Sequence, residues 1–193
     1  MLLYSRLMRY LGGQQRKLEG RPAERLYQSV LQASRQPNLY TEFEVHDNLD
    51  SRFDMLCLHI SLLMGRLRML PEDVHKPLNQ ELFDRFFADM DFTLREMGVG
   101  DLGVGKRVRK MSEAFMGRLL AYTKSLERND KMELALVLAR NIRRSHDSND
   151  ADRRMADYVL QSRDRLSAVG DNEMQAGTVD LVSILALHGD SHG

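Results

Sequence analysis

Apolar residues recur at steps of three and four along nearly the whole chain, and no run of β-branched residues alternates long enough to make a strand. A repeat near 3.6 buries one face of a helix and a repeat of 2 one face of a strand, so this pattern predicts an all-α protein. Phe83, Phe86, Phe87, Met90, Leu94 and Met97 form one stripe, predicting a helix over 78–97 with Gly98 as its C-cap. Val104, Val108, Met111, Phe115, Leu119, Tyr122 and Leu126 form a second, carrying a long helix to residue 128. Pro22 suits a first helical turn, and Pro37 bounds a helix over 22–35. Residues 38–50 read as an acidic connector. The next helix starts after Asp50 or Ser51, with Asp54 placed for a capping box, and stops before Pro71. Two more helices follow, over 131–144 and 151–169; the first is apolar on several sides and is expected at the centre. A chain of 193 residues fits one domain. The expected architecture is a single-domain helical bundle of about six to eight helices. Its parts are a basic amphipathic segment (1–20), a helical domain (21–170) and an acidic and apolar tail (171–193).

Charge narrows the functions open to such a bundle. Twenty-eight basic and twenty-eight acidic residues cancel, so no global positive field draws the chain onto DNA. The cancellation hides blocks. Residues 1–40 carry seven cations and two acids, 41–105 six and thirteen, 106–170 fifteen and nine, and 171–193 none and four. Such blocks either pair within the fold or face different partners. The single cysteine, Cys57, forms no internal disulfide, and no stretch has the ~20 apolar residues that a spanning helix needs. Twelve methionines stand beside no tryptophan, and flexible Met side chains suit both cores and surfaces that accept varied apolar partners.

Motifs that point to catalysis fail on context. Gly98, Gly100 and Gly103 fit the dinucleotide G-x-G-x-x-G, and Gly100 to Lys106 fits the start of a phosphate-binding loop. Both motifs need a strand before the glycines, whereas a Phe-rich helix is predicted there; Arg107 also stands where magnesium needs Ser or Thr. The loop is expected to cap helices and to bind no nucleotide. Cys57 and His59, two apart on a helix, point in different directions and form no thiol–imidazole pair. His188 and His192 have i, i+4 spacing but lie in a polar tail and read as no metal site. His46, His75 and His146 read as exposed. No cofactor, metal or small-molecule substrate is expected.

Binding features are more informative. Arg52, His59 and Arg66 are spaced by seven and share one face of the helix over 51–70, a cationic seam between two apolar flanks. It reads either as an internal network using Asp91, Glu96 or Asp101 as counter-charges, or as an anchor for a partner's acidic group. Lys106, Arg107, Arg109 and Lys110 form a basic run suited to anionic lipid or RNA phosphate. Met1, Leu2, Leu3, Leu7, Met8 and Leu11, beside Arg6, Arg9, Arg16 and Lys17, predict a weak, reversible membrane anchor.

Across residues 25–145 the chain also resembles a known family. The residues that carry the resemblance are Tyr27, Ala33-Ser34-Arg35-Gln36-Pro37 with Tyr40, Val45, Asp47, Arg52-Phe53-Asp54, His59 and Arg66-Leu67. Further along they are Leu82-Phe83, Leu94 through Asp101, Lys106, Val108, Lys110-Met111, Phe115, Gly117-Arg118, Tyr122 and Asn141. Together they look like the pattern of the ubiquinol–cytochrome c chaperone family. His46 and Ser51 depart from it, so the 45–51 turn is expected to differ. The resemblance implies an assembly factor and not an enzyme: a helical protein that holds newly made cytochrome b until it joins respiratory complex III. With no transit-type segment before the resembling region, a bacterial-type member is expected, cytoplasmic and peripheral at the inner face of the membrane. Its partners would be cytochrome b and a ribosome or anionic membrane surface. The seam, the basic run and the resembling segments together nominate Arg52, Phe53, His59, Arg66, Arg95, Lys106, Arg107, Lys110 and Arg118 as contacts. The competing reading is a small nucleotide-binding protein or enzyme that uses the Gly98–Gly105 loop.

Overall fold

The protein is described here by a computed structural model covering residues 21–187, which form nine α-helices and no strand. They are α1 (Pro22–Ser34), α2 (Pro37–Glu42), α3 (Leu49–Leu67), α4 (Glu72–Glu96), α5 (Asp101–Arg128), α6 (Lys131–Leu138), α7 (Asp150–Ser167), α8 (Asp171–Ala176) and α9 (Leu181–Ile184). A π-helical turn, Ala139–Arg143, continues α6. The fold is the expected all-α domain. Short helices α2, α8 and α9 have too few turns to show a clear periodicity in the sequence. Segment 1–20, including the expected membrane anchor, and His188 and His192 lie outside the described residues.

Helix α3 is the axis of the bundle, packed by α1, α4, α5 and α7. Fourteen of its nineteen residues are buried. The expected centre, 131–144, instead lies to one side: α6 buries Leu134, Ala135, Val137 and Leu138 but exposes Met132 and Leu136. An apolar helix need not be enclosed; this one shows part of its greasy surface to solvent.

Helix starts differ from the sequence reading for local reasons. The Asn48 side chain accepts the Ser51 N–H at 3.0 Å and caps α3, so Asp54 falls in the second turn and faces inward. Pro37 opens α2 instead of ending a segment, because a proline in a first turn gives up no helical hydrogen bond. Helix α4 starts at Glu72, not residue 78, because Pro77 sits early enough that only one backbone hydrogen bond is lost. Asn149 caps α7 in a reciprocal capping box with Asp152.

The glycine-rich stretch is a tight helix–turn–helix. Gly98 closes α4 with φ +79°, its N–H donating to the Arg95 carbonyl at 2.9 Å, and Gly100 is the N-cap of α5. Gly103 and Gly105 are already helical. A helix, not a strand, precedes the glycines, so the context both nucleotide motifs require is missing.

The chain after α7 folds back over α1 and α7. Arg165 donates to the carbonyls of Ile184 and Ala186, and Gln36 to that of Val182. Gly177 holds φ +64°, and a Cβ there would lie 2.5 Å from the Pro22 carbonyl oxygen. No helix among the described residues is long and apolar enough to cross a membrane.

Candidate functional site

Helices α3, α4 and α5 meet around a rigid aromatic cluster. Phe86 lies 4.7 Å from Phe87 and 5.3 Å from Phe115, and Phe53 stacks on Phe86 at 5.9 Å. Beside this cluster opens a groove of about 590 Å³. Its floor comes from the N-terminal half of α3 (Phe53, Leu56) and its walls from Met90, Leu94 and Met97 of α4 and Met111 and Ala114 of α5. Three of the chain's methionines therefore line one surface, where unbranched, polarizable side chains can repack around an apolar guest.

Cations surround that apolar lining: Arg35 from the end of α1, Arg52 from α3, Arg107, Lys110 and Arg118 from α5, and Arg144 after the π-turn. They divide by partner. Arg52 is exposed and paired with Asp47, its Nε 2.6 Å from Oδ1. Arg118 and Arg144 share one carboxylate, Asp54, at 2.6 and 2.7 Å. Asp54 is fully buried on the inner face of α3, and Arg118 is nearly so. Burial raises the Asp54 carboxyl from its ordinary value, while the two guanidinium groups act against that shift. Arg118 also lies 5.7 Å over the Phe53 ring and donates to the Ala114 carbonyl, which fixes its plane against the aromatic cluster. Among the described residues, Arg35, Arg107 and Lys110 have no carboxylate within ion-pair distance.

Five of the nine residues nominated from sequence come together here: Arg52, Phe53, Arg107, Lys110 and Arg118. Lys106 is exposed on α5 outside the groove. Arg95 is tied to Asp91 at 2.6 Å and also to Asp101 across the glycine turn, which raises its already high pKa.

The seam itself dissolves, because its three members occupy different environments. Arg52 is solvated. His59 is fully buried, its Nδ1–H donating to the Met55 carbonyl at 2.7 Å and its Nε2 lying 2.7 Å from the Tyr158 hydroxyl. Burial lowers its pKa to about 4, so it is a neutral polar link and not a cation. Arg66 is buried at the other end of α3 and donates to the carbonyls of Leu166 (3.0 Å) and Val169 (2.7 Å) and to Asp171. None of the counter-charges expected for the seam is used: Asp91 and Asp101 serve Arg95. Cys57 is buried, and burial pushes its thiol well up, so it stays protonated. His75, expected to be exposed, lies half-buried in α4 and meets the Leu70 carbonyl at 3.0 Å.

Asp54, Arg35 and Arg144 were not among the contacts nominated from sequence: Asp54 reads there as a helix-capping residue, and Arg35 only as part of the resembling pattern. Asp54 had a further signal, a carboxylate one turn into a helix with two apolar flanks; Arg144 reaches the groove from a distant segment and had none. A second cavity, about 750 Å³, adjoins the groove and shares Leu49, Asp50 and Arg144 with it. Its remaining arginine, Arg143, is committed to Asp152.

The nine helices of the described residues, with a methionine-lined, cation-edged groove among three of them, define an all-α bundle with an open apolar cleft. Residues 41–181 match the family model described as ubiquinol–cytochrome c chaperone, nearly three-quarters of the chain, and the protein belongs to that family. It is also similar to the crystal structure of the Cbp3 homolog from Brucella abortus: 39% identity over 82% of this chain and 87% of that one, with a TM-score of 0.73. No curated protein matches the chain.

Proposed function

We propose that this protein is an assembly chaperone for ubiquinol–cytochrome c reductase that holds newly synthesised cytochrome b through the groove between α3, α4 and α5. The observation that carries the reading is the pairing of an adaptable apolar lining, Met90, Met97 and Met111, with an edge of cations in a family of ubiquinol–cytochrome c chaperones. An apolar segment awaiting assembly needs cover for its surface without a permanent bond, and loosely packed thioethers provide that. The protein acts as a binder and not as an enzyme. It works on the inner face of the cytoplasmic membrane, with segment 1–20 giving loose electrostatic attachment to anionic lipid or a ribosome.

A photo-crosslinker at Met97 or Met111, in cells making cytochrome b, tests this. Capture of cytochrome b from both positions, absent from a crosslinker at exposed Met69 in the turn after α3, is the expected result. Capture from neither groove position would refute it.

A further inference from the structure

We propose that the groove selects a client helix that carries a carboxylate within its apolar face, received by Arg107, Lys110 and the Arg118–Arg144 pair. The inference rests on the groove being the client site and names what it recognises. Two guanidinium groups lining the groove share a single carboxylate, Asp54. That cluster therefore carries one surplus positive charge, and the Arg118 Nε is buried without a hydrogen-bond acceptor. Arg107 and Lys110, one turn apart on the same wall, add two more positive charges with no carboxylate in reach among the described residues.

In the empty groove, water screens these charges. A purely apolar guest would strip that water away and leave cations facing hydrocarbon, which is costly unless the guest brings a negative group. Asp50 on the groove edge offsets one of these positive charges, and a guest with one carboxylate offsets another while gaining a charge-assisted contact in a partly desolvated site. A guest bearing a cation at the same place is rejected. Selection thus comes from the penalty on the wrong guest as much as from attraction to the right one.

The test uses the full-length protein and three fluorescent 20-residue apolar helical peptides that differ only at one central position: Glu, Gln or Lys. The Glu peptide should bind at least about tenfold more tightly than Gln, with Lys weaker still, and the preference should shrink at high salt. Arg107→Glu with Lys110→Glu, both at exposed positions, should erase the preference for Glu and improve binding of the Lys peptide. Equal binding of Glu and Gln peptides, or an unchanged preference in the double variant, would overturn the proposal. Displacement of the Glu peptide by vesicles of anionic phospholipid, with no displacement by unlabelled peptide, would also overturn it and mark a lipid site. The client reading fails separately, by loss of the cytochrome b crosslink at Met97 and Met111; a crosslink with no carboxylate preference leaves it standing.

Discussion

Replacing Asp54 by Asn tests whether the bundle is organised around a buried charge. The substitution keeps the shape of the side chain and removes its charge. Two arginines then lose their counter-ion, but unequally: Arg144 is about half exposed and solvent compensates it, whereas Arg118 retains only 13% exposure. The remaining hydrogen bond of Arg118, to the Ala114 carbonyl, does not neutralise a guanidinium. Removing one partner of a buried ion pair costs about 3–5 kcal/mol, and the solvated Arg144 adds less than about 1 kcal/mol. At roughly 2–4 °C per kcal/mol for a chain of this size, Tm should fall by about 6–24 °C. Urea denaturation gives the free energy and calorimetry the midpoint. The control is Asp54→Leu with Arg118→Met, which removes both charges and should restore stability to within about 1–2 kcal/mol of the parent, since an apolar pair of similar volume replaces a buried ion pair at little cost. If Asp54→Asn lowers stability by less than about 1 kcal/mol, the pair is effectively solvated and the reasoning is wrong.

Three further outcomes follow from the same geometry. Arg66→Ala should cost about 2–4 kcal/mol, because the Leu166 and Val169 carbonyls lose their donor and a buried stem is lost, while Arg52→Ala should cost less than about 1 kcal/mol; matched urea titrations check the contrast, and equal effects would contradict it. Gly177→Ala combines positive φ with a Cβ 2.5 Å from Pro22 O and should destabilise by more than about 1 kcal/mol, with faster hydrogen exchange over 171–187 as the local readout. His59 titrates near its ordinary 6.5 when unfolded and at about 4 when folded, so the unfolded chain takes up the proton first. Its contribution is complete above pH 7 and is lost as pH falls from 6.5 toward 4, by up to about 3 kcal/mol; His59→Gln should flatten that part of the urea-midpoint profile, and an unchanged slope would count against it.

The helical class was legible because periodicity survives any tertiary arrangement: the Phe83–Leu94 and Val104–Leu126 stripes pack on the core as their spacing implies, and only Met97, at the end of the first, stays exposed. Identical spacing misled where environment decides. Arg52, His59 and Arg66 do repeat every seven residues on α3, but the helix passes from a solvent-facing start to a fully enclosed middle, so three like positions become an exposed ion pair, a neutral histidine and a buried carbonyl binder. The groove was legible in part. Five of its residues stand out as basic or aromatic, yet Arg35 and Arg144 reach it from segments far apart in sequence, and no local pattern reports that meeting.

The block structure of charge resolves into two uses once the helices are placed. Part of the surplus positive charge of 106–170 pairs with the acidic 41–105 block: Arg118 and Arg144 inward on Asp54, and Arg154 on Glu42 at the surface. Much of the rest forms short-range pairs, such as Arg109 with Glu113 and Arg143 with Asp152, which fix local helix geometry. Arg107 and Lys110 join neither set, although Arg109 between them does, because α5 turns positions 107 and 110 toward the groove and 109 away from it. A residue's neighbours in sequence therefore say little about whether its charge is already satisfied. The face of the helix decides it, and on the groove face of α5 the unsatisfied charge lies beside the apolar lining, where a guest must either match it or be refused.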